Sequence, residues 1–205
     1  MGVVALVMAG GKATRMANVR EKPLLKIRGR TMVERVIEAL RSSRNIDEIV
    51  AAVSKFTPKT AELMRNLSIK VVETPGEGYC SDMIYAIKKC TLISSVLAIS
   101  ADLPLITREL IDEIIINYKH CEKPALVAAI PVETYELLGL KSGYPFEIGG
   151  KLLTPVGINI VNGRYINEPM MAEDVLILEK AESVVNVNTL SDMKIVEKLL
   201  VEETD

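Results

Sequence analysis

Residues 3–16, Val3-Val-Ala-Leu-Val-Met8 followed by Ala9-Gly-Gly-Lys-Ala-Thr-Arg-Met16, decide the reading of the chain. The first six are an unbroken apolar run, the pattern of a strand buried on both faces in a parallel sheet. Two glycines follow where the strand's carboxyl end opens. There, successive N–H groups form an anion-binding concavity, and the missing side chains let a ligand approach the backbone. Lys12 and Arg15 stand beside the turn, and Lys22, just before Pro23, adds a third cation. Three cations converging on a glycine turn suit a triphosphate, whereas a plain tight turn with solvated basic residues needs the glycines alone. Two familiar phosphate loops are excluded by counting. A P-loop requires glycine at Leu6 and Ser or Thr at Ala13, and no G-x-G-x-x-G follows the strand.

Outward from this stretch, strand-like and helix-like segments alternate. Residues 23–27 read as a short extended piece closed by Gly29. Thr31-Met-Val-Glu34 is a capping box that opens an amphipathic helix with Val33, Val36, Ile37 and Leu40 on one face. Further strands are expected at 49–53, 69–72, 96–100, 125–132, 156–161 and 184–187. Further helices are expected after Pro58, over 82–89, from Thr107 through Ile116, and from Thr189 onward. Residues 133–151, with Gly139, Gly143, Gly149 and Gly150, read as a loop-rich insertion at the sheet's carboxyl edge. Repeated strand–helix–strand units imply an α/β fold, a doubly wound, mostly parallel, Rossmann-like sheet in one domain over 1–205. In such sheets ligands bind outside the carboxyl ends of the strands.

Composition removes several function classes. A chain of 205 residues buries roughly 70% of its unfolded surface and needs no disulfide or structural metal. The formal net charge of −2 and an aromatic content of 4%, with no Trp, argue against nucleic-acid binding. The single histidine, His120, removes His-rich metal sites and argues against a Ser-His-Asp hydrolase. Cys80, Cys90 and Cys121 form no CxxC pair, which fits a reducing cytoplasm. No stretch is long and apolar enough for a membrane span, and 3–9 lacks the flanks of a signal peptide. An Ile/Val/Met surface makes a homodimer a further expectation.

Three other segments carry chemistry. The strand at 96–100 ends in Ala101-Asp102-Leu-Pro104, and a carboxylate at the end of a central strand sits where ligands bind. Mg²⁺ takes one or two protein carboxylates plus phosphate oxygens, so one Asp suffices to start a site; an Asx turn or a helix cap is the plainer use. Glu73-Thr-Pro-Gly76-Glu-Gly78-Tyr79-Cys-Ser-Asp82 lies between a strand and a helix. Its glycines either let backbone groups approach a flat base or simply turn the chain. Pro155-Val-Gly157-Ile-Asn159 and Val185-Asn186-Val-Asn188-Thr189 hold a strand glycine and two asparagines, readable as site residues or as a bend and a helix cap.

A-G-G-x-x-T-R-M at 9–16, then E-K-P-L-L-K-I-x-G-R at 21–30, resembles the nucleotidyltransferases of the molybdenum-cofactor guanylyltransferase type. The loop at 76–82, P-x-G-I-N at 155–159 and N-x-N-T at 186–189 are similar to the archaeal adenosylcobinamide-phosphate guanylyltransferases. The resemblance implies that Ala9, Gly10, Gly11, Lys12 and Thr14 wrap a GTP triphosphate, with Arg15 toward the leaving pyrophosphate and Lys22 near the α-phosphate. It implies that Asp102 binds Mg²⁺, that Gly76, Gly78, Tyr79 and Asp82 lie against base and ribose, and that Gly157, Asn186 and Asn188 complete the nucleotide site. The implied reaction passes GMP from GTP to a phosphorylated acceptor, adenosylcobinamide phosphate. Molybdopterin or a sugar or polyol phosphate is the alternative acceptor, and a nucleotide sensor without turnover is the alternative of another class. Glu21 departs from the Asp usual in the molybdenum enzymes. A second metal carboxylate has no clear place, Glu173 and Asp174 being the only suggestions.

Overall fold

The computed structural model describes residues 2–14, 16 and 21–202. In chain order the elements are β1 (Val3–Met8), a 3-10 turn at Lys22–Leu24, β2 (Lys26–Ile27), β3 (Arg30–Thr31), α1 (Met32–Ser42), β4 (Ile46–Ser54), α2 (Pro58–Asn66) and β5 (Lys70–Thr74). Then follow α3 (Tyr79–Lys89), β6 (Ser95–Ser100), α4 (Arg108–Lys119), β7 (Ala125–Pro131), α5 (Val132–Leu137), β8 (Phe146–Ile148), β9 (Lys151–Asn162), β10 (Glu173–Ile177) and α6 (Leu190–Glu202).

The apolar run makes β1 the centre of the sheet, whose order is β10-β7-β9-β6-β1-β4-β5, with β8 pairing β9. β1 pairs in parallel with both β4 and β6. Its residues serve two cores, as a strand buried on both faces must. Val3, Ala5 and Val7 face the layer that contains α1, α2, α4, α5 and α6, while Leu6 faces α3. In this sheet, among the described residues, the antiparallel pairings are those of β9 with β6, β7 and β8. The fold is thus α/β with a mostly parallel sheet.

α1 starts where the capping box places it. Glu34 N donates to Thr31 Oγ1 at 3.3 Å and Thr31 N donates to the Glu34 carboxylate at 2.9 Å. Val33, Val36, Ile37 and Leu40 are all buried on its inner face.

Four sequence expectations change. Residues 23–27 form a 3-10 turn and half of a small hairpin with β3, because Pro23 sits in the turn. The segment at 133–151 holds α5 and β8 as well as loop, its alternating apolar residues too short to register as periodicity. Residues 184–187 form no strand, although Val184, Val185 and Val187 are fully buried. The edge strand is instead β10, whose polar Glu173-Asp174 start and half-exposed side chains hide it from a hydrophobic reading. Among the described residues no helix is long and apolar enough to cross a membrane.

The Thr31 hydroxyl bond, then the Thr31 N–H, holds the Glu34 carboxyl below its usual range. A depressed carboxyl stabilises the fold above its unfolded pKa and loses that contribution as pH falls. Thr31→Ala is expected to cost about 1 kcal/mol in urea unfolding at pH 7. The difference from wild type should shrink as pH falls below the ordinary glutamate range, where the depressed Glu34 carboxyl finally protonates.

Candidate active site

From β1 the chain runs outward to β4 and β5, then returns to β6 on the other side of β1. That reversal opens a crevice at the carboxyl ends of β1 and β6, where such sheets bind ligands. The crevice encloses about 670 Å³. Ala9, Gly10, Gly11, Lys12, Thr14, Lys22, Gly76, Gly78, Tyr79, Asp82, Asp102 and Asn188 all line it. Gly157 and Asn186 stand behind its wall, bonded to residues that line it. Arg15 lies outside the described residues.

The end of β4 props the glycine turn. Ser54 Oγ donates to the Gly10 carbonyl at 2.7 Å, and a Cβ on Gly10 would stand 3.3 Å from Ser54 and Val53 backbone atoms. Gly11 has no such neighbour, so its backbone faces open space. Lys12 Nζ lies 4.8 Å above the Phe56 ring, which holds this cation at the rim.

Asp102 is the centre of the polar floor. Its Oδ2 pairs with the Lys22 ammonium, and the two side chains are only 14% and 18% exposed. Asn186 Nδ2 donates to Asp102 Oδ1 at 3.0 Å, while Lys22 Nζ donates to Asn188 Oδ1 at 3.1 Å. The carboxylate, the ammonium and two amides thus form one connected cluster.

The Val-Asn-Val-Asn-Thr stretch explains its own spelling. In an extended chain alternate side chains share a side, and here Val185 and Val187 enter the core while Asn186 and Asn188 reach Lys22 and Asp102. Four successive N–H groups are held without a neighbouring strand. Asn186 N donates to the Tyr135 hydroxyl at 3.2 Å, and Val187 N to the Asp102 carbonyl at 3.0 Å. Asn188 N and Thr189 N both donate to Asp192 Oδ2, at 2.7 and 2.8 Å.

Across the crevice, the 74–78 loop turns on Gly76 at φ +77° and Gly78 at φ +130°. A Cβ on Gly76 would come within 2.9 Å of the Phe56 ring. Buried Asp82, in the first turn of α3, accepts from Gly76 N and Glu77 N and so pins the loop. The Tyr79 hydroxyl points into the sheet, 3.3 Å from the carbonyls of Ala98 and Gly157, and accepts from Asn159 Nδ2 at 3.2 Å. Burial pushes this phenol well above its ordinary pKa, so it stays protonated. What Tyr79 offers the crevice is its ring.

Sequence reasoning passed over three supports. Glu21 is buried and accepts from Lys59 N, Thr60 N and Thr60 Oγ1 at 2.7–3.0 Å, which caps α2 from a distance and anchors neighbouring Lys22. Ser54 and Tyr135 are the other two. Only Glu21 left a signal, as an acid placed directly before Lys-Pro. Glu173 and Asp174 start β10 beside Ala125 and Leu126, at the opposite end of the strands from the crevice, so neither supplies a second carboxylate there. His120 and Cys121 follow α4 and do not line it either.

A family model described as a MobA-like NTP transferase domain matches residues 5–155, which carry the glycine turn, Lys22 and Asp102. The chain belongs to this family. This MobA-like chain is 34% identical over 96% of its length, and 96% of the relative's, to a protein of Methanocaldococcus jannaschii named adenosylcobinamide-phosphate guanylyltransferase. It is 28% identical, over 94% of its length and 96% of the relative's, to a probable molybdenum cofactor guanylyltransferase of Thermococcus sibiricus. The solved structure of CMP:2-keto-3-deoxy-manno-octonic acid synthetase with CTP shares the fold, with TM-score 0.72 and 14% identity over 98% of this chain and 99% of that one. The MobA-like chain is a nucleotidyltransferase.

Gly157 offers a direct check on the cluster. Its φ of +73° disfavours any side chain, and a Cβ would stand 2.7 Å from Ser100 Oγ and 3.4 Å from Asn186 Nδ2. Gly157→Ala is expected to destabilise the fold by about 1–3 kcal/mol in urea unfolding. An unchanged midpoint would contradict the close approach.

Proposed function

We propose that the chain is a GTP:adenosylcobinamide-phosphate guanylyltransferase of cobalamin synthesis. It transfers GMP from GTP to the acceptor's phosphate and releases pyrophosphate. The observation that carries the reading is the end-to-end likeness to the M. jannaschii protein of that name. The P-x-G-I-N stretch at 155–159 supports it, since Gly157 and Asn159 hold Tyr79 from behind. The reading implies a cytoplasmic enzyme, in keeping with three free cysteines.

An ionised acceptor phosphate is already a nucleophile, so one of its oxygens attacks the α-phosphorus directly. The new P–O bond forms as the bond to the β-phosphate breaks, and pyrophosphate leaves. No general base and no enzyme-bound intermediate are needed, which suits a site without His or Cys. The protein's work is positioning and charge stabilisation. Gly10 and Gly11 give the phosphates backbone access, Lys12 and Arg15 face the β- and γ-phosphates, and Lys22 faces the α-phosphate. Gly76, Gly78 and the Tyr79 ring bound the base and ribose, with Asp82 keeping their loop in place.

A divalent cation fits the oxygens present. The Lys22 ammonium reaches both Asp102 and Asn188 Oδ1, so these two oxygens already converge on one positive charge. Asp102, with Asn188 beside it, would hold Mg²⁺, which supplies neutralisation of the phosphates. Among the described residues no three acidic, His or Cys side chains gather as a metal site, so at Asp102 the phosphates would supply most of the oxygens.

Transfer of GMP to molybdopterin is the second reading, favoured by the likeness to the T. sibiricus protein. GTP, ATP, CTP and UTP crossed with cobinamide phosphate, molybdopterin and sugar phosphates decide between them by pyrophosphate release with Mg²⁺. Turnover is expected with GTP and cobinamide phosphate; molybdopterin as the sole productive acceptor would replace the first reading with the second. No pyrophosphate from any pair would leave a nucleotide sensor. Asp102→Ala should lower kcat at least about 100-fold, and equal turnover would remove its metal role. Arg15→Ala should weaken GTP binding in calorimetry, whereas unchanged affinity would remove Arg15 from the phosphates.

A further inference from the structure

We infer that Tyr135 is a positioning residue for the transfer reaction: from α5 it fixes the 186–188 segment, and through that segment the orientation of the Asp102 carboxylate. The inference rests on the reading of Asp102 as the metal-binding acid and adds a residue outside the crevice.

Tyr135 is 5% exposed and its ring packs in the main core, so the phenol is held on a rigid support. Its hydroxyl accepts the Asn186 N–H at 3.2 Å. Asn186 in turn sends its amide to Asp102 Oδ1 at 3.0 Å, and the next N–H, that of Val187, bonds the Asp102 carbonyl at 3.0 Å. The acid's carboxylate and its own backbone are therefore both tied to a two-residue stretch whose first N–H ends on Tyr135. A free carboxylate on a strand end rotates about two side-chain bonds. Here one oxygen is fixed by Asn186, which leaves the other turned to the cation position occupied by the Lys22 ammonium.

Among the described residues the phenol is the partner that Asn186 N meets. The segment has no strand beside it, and its remaining anchor, Asp192, takes the N–H groups of Asn188 and Thr189. Burial is the main reason the phenol is pushed up to about 12, so it stays neutral across the working pH range. A neutral acceptor suits the place, because a phenolate would add a negative charge near Asp102 and Asp192. Partners one step removed from a metal ligand commonly change metal affinity or activity about 10–100-fold when removed.

Tyr135→Phe keeps the buried ring and deletes only the acceptor. Mn²⁺ binding, followed by electron paramagnetic resonance in the presence of a non-hydrolysable GTP analogue, tests the inference without turnover. Wild type, Asp102→Asn, Tyr135→Phe, Asn186→Ala and the Tyr135→Phe/Asn186→Ala double variant are compared. Asp102→Asn should weaken Mn²⁺ binding most, and Tyr135→Phe should weaken it about tenfold. The double variant should be no weaker than Asn186→Ala, since both act through one path. In steady-state assays with the productive acceptor, Tyr135→Phe should lower kcat and raise the metal activation constant, with the KM for GTP within about twofold of wild type.

If Asp102→Asn binds Mn²⁺ like wild type, the metal reading of Asp102 fails. If Asp102→Asn weakens binding and Tyr135→Phe does not, the positioning role alone fails. Additive effects in the double variant also overturn it. Amide exchange in the wild type gives a readout that survives a poorly folding variant: the Asn186 N–H should be strongly protected, and exchange at the rate of an exposed amide would remove the Tyr135 bond on which the inference stands.

Discussion

A largely buried carboxylate at the floor of an open crevice has to have its charge answered, and much of the architecture around Asp102 serves that requirement. An ion pair this enclosed loses much of its Coulombic gain to desolvation, and a well-packed apolar pair would often serve stability equally well. The Lys22–Asp102 pair is therefore better understood as held in place than as holding the fold together. Its support comes from every side. Glu21 caps α2 and so seats Lys22, Asn186 fixes one oxygen of Asp102, Asp192 anchors the backbone of Asn188, and Gly157 leaves room for the Asn186 amide.

The reversed strand β9 matters for the same reason. Six strands on the path from β10 to β5 run in one direction and could have formed a uniform sheet, but β9 enters antiparallel between β6 and β7. Its register against β7 shifts between Val127 and Ala129, near Gly157. A bulge of this kind bends the strand and re-aims its groups. Here it turns the Gly157 carbonyl toward the Tyr79 hydroxyl and brings the bare Cα against Ser100 and Asn186. One irregularity thus serves both walls of the crevice, the loop before α3 and the segment before α6.

The parts of the molecule that were readable in sequence are those whose cause is local. The apolar run of β1, the glycines after it, the capping box of α1 and the carboxylate ending β6 each depend on neighbours within a few residues. The apolar valines at 184–187 suggested a strand, yet the segment is not one, although Val185 and Val187 are buried. Its N–H groups go to a phenol, a loop carbonyl and a carboxylate instead of a ladder. Periodicity reports which side is buried and says nothing of where the backbone bonds go. The bonds made by Glu21 and Tyr135 were unreadable for a further reason: their partners lie 38 and 51 residues away, and only the position of Glu21 before Lys-Pro left a trace. β10 escaped because an edge strand exposed on one side need not be apolar.

Arrangement of the polar cluster also bears on how such a site tolerates being empty. Asp102 without a partner would leave an uncompensated charge in a largely enclosed place, a costly state. Lys22 removes that cost by standing between Asp102 and Asn188. The same ammonium is the one assigned to the α-phosphate in the proposed reaction, so Lys22 has two anionic partners and cannot serve both fully at once. In the proposed reaction Asp102 would hold a cation that supplies this neutralisation, and Lys22 would then be left to the phosphate. By linkage, whatever favours one of these exchanges favours the other to the same degree. In the proposed reaction, occupation of the acid and of the phosphate loop would then be coupled through one side chain, Lys22.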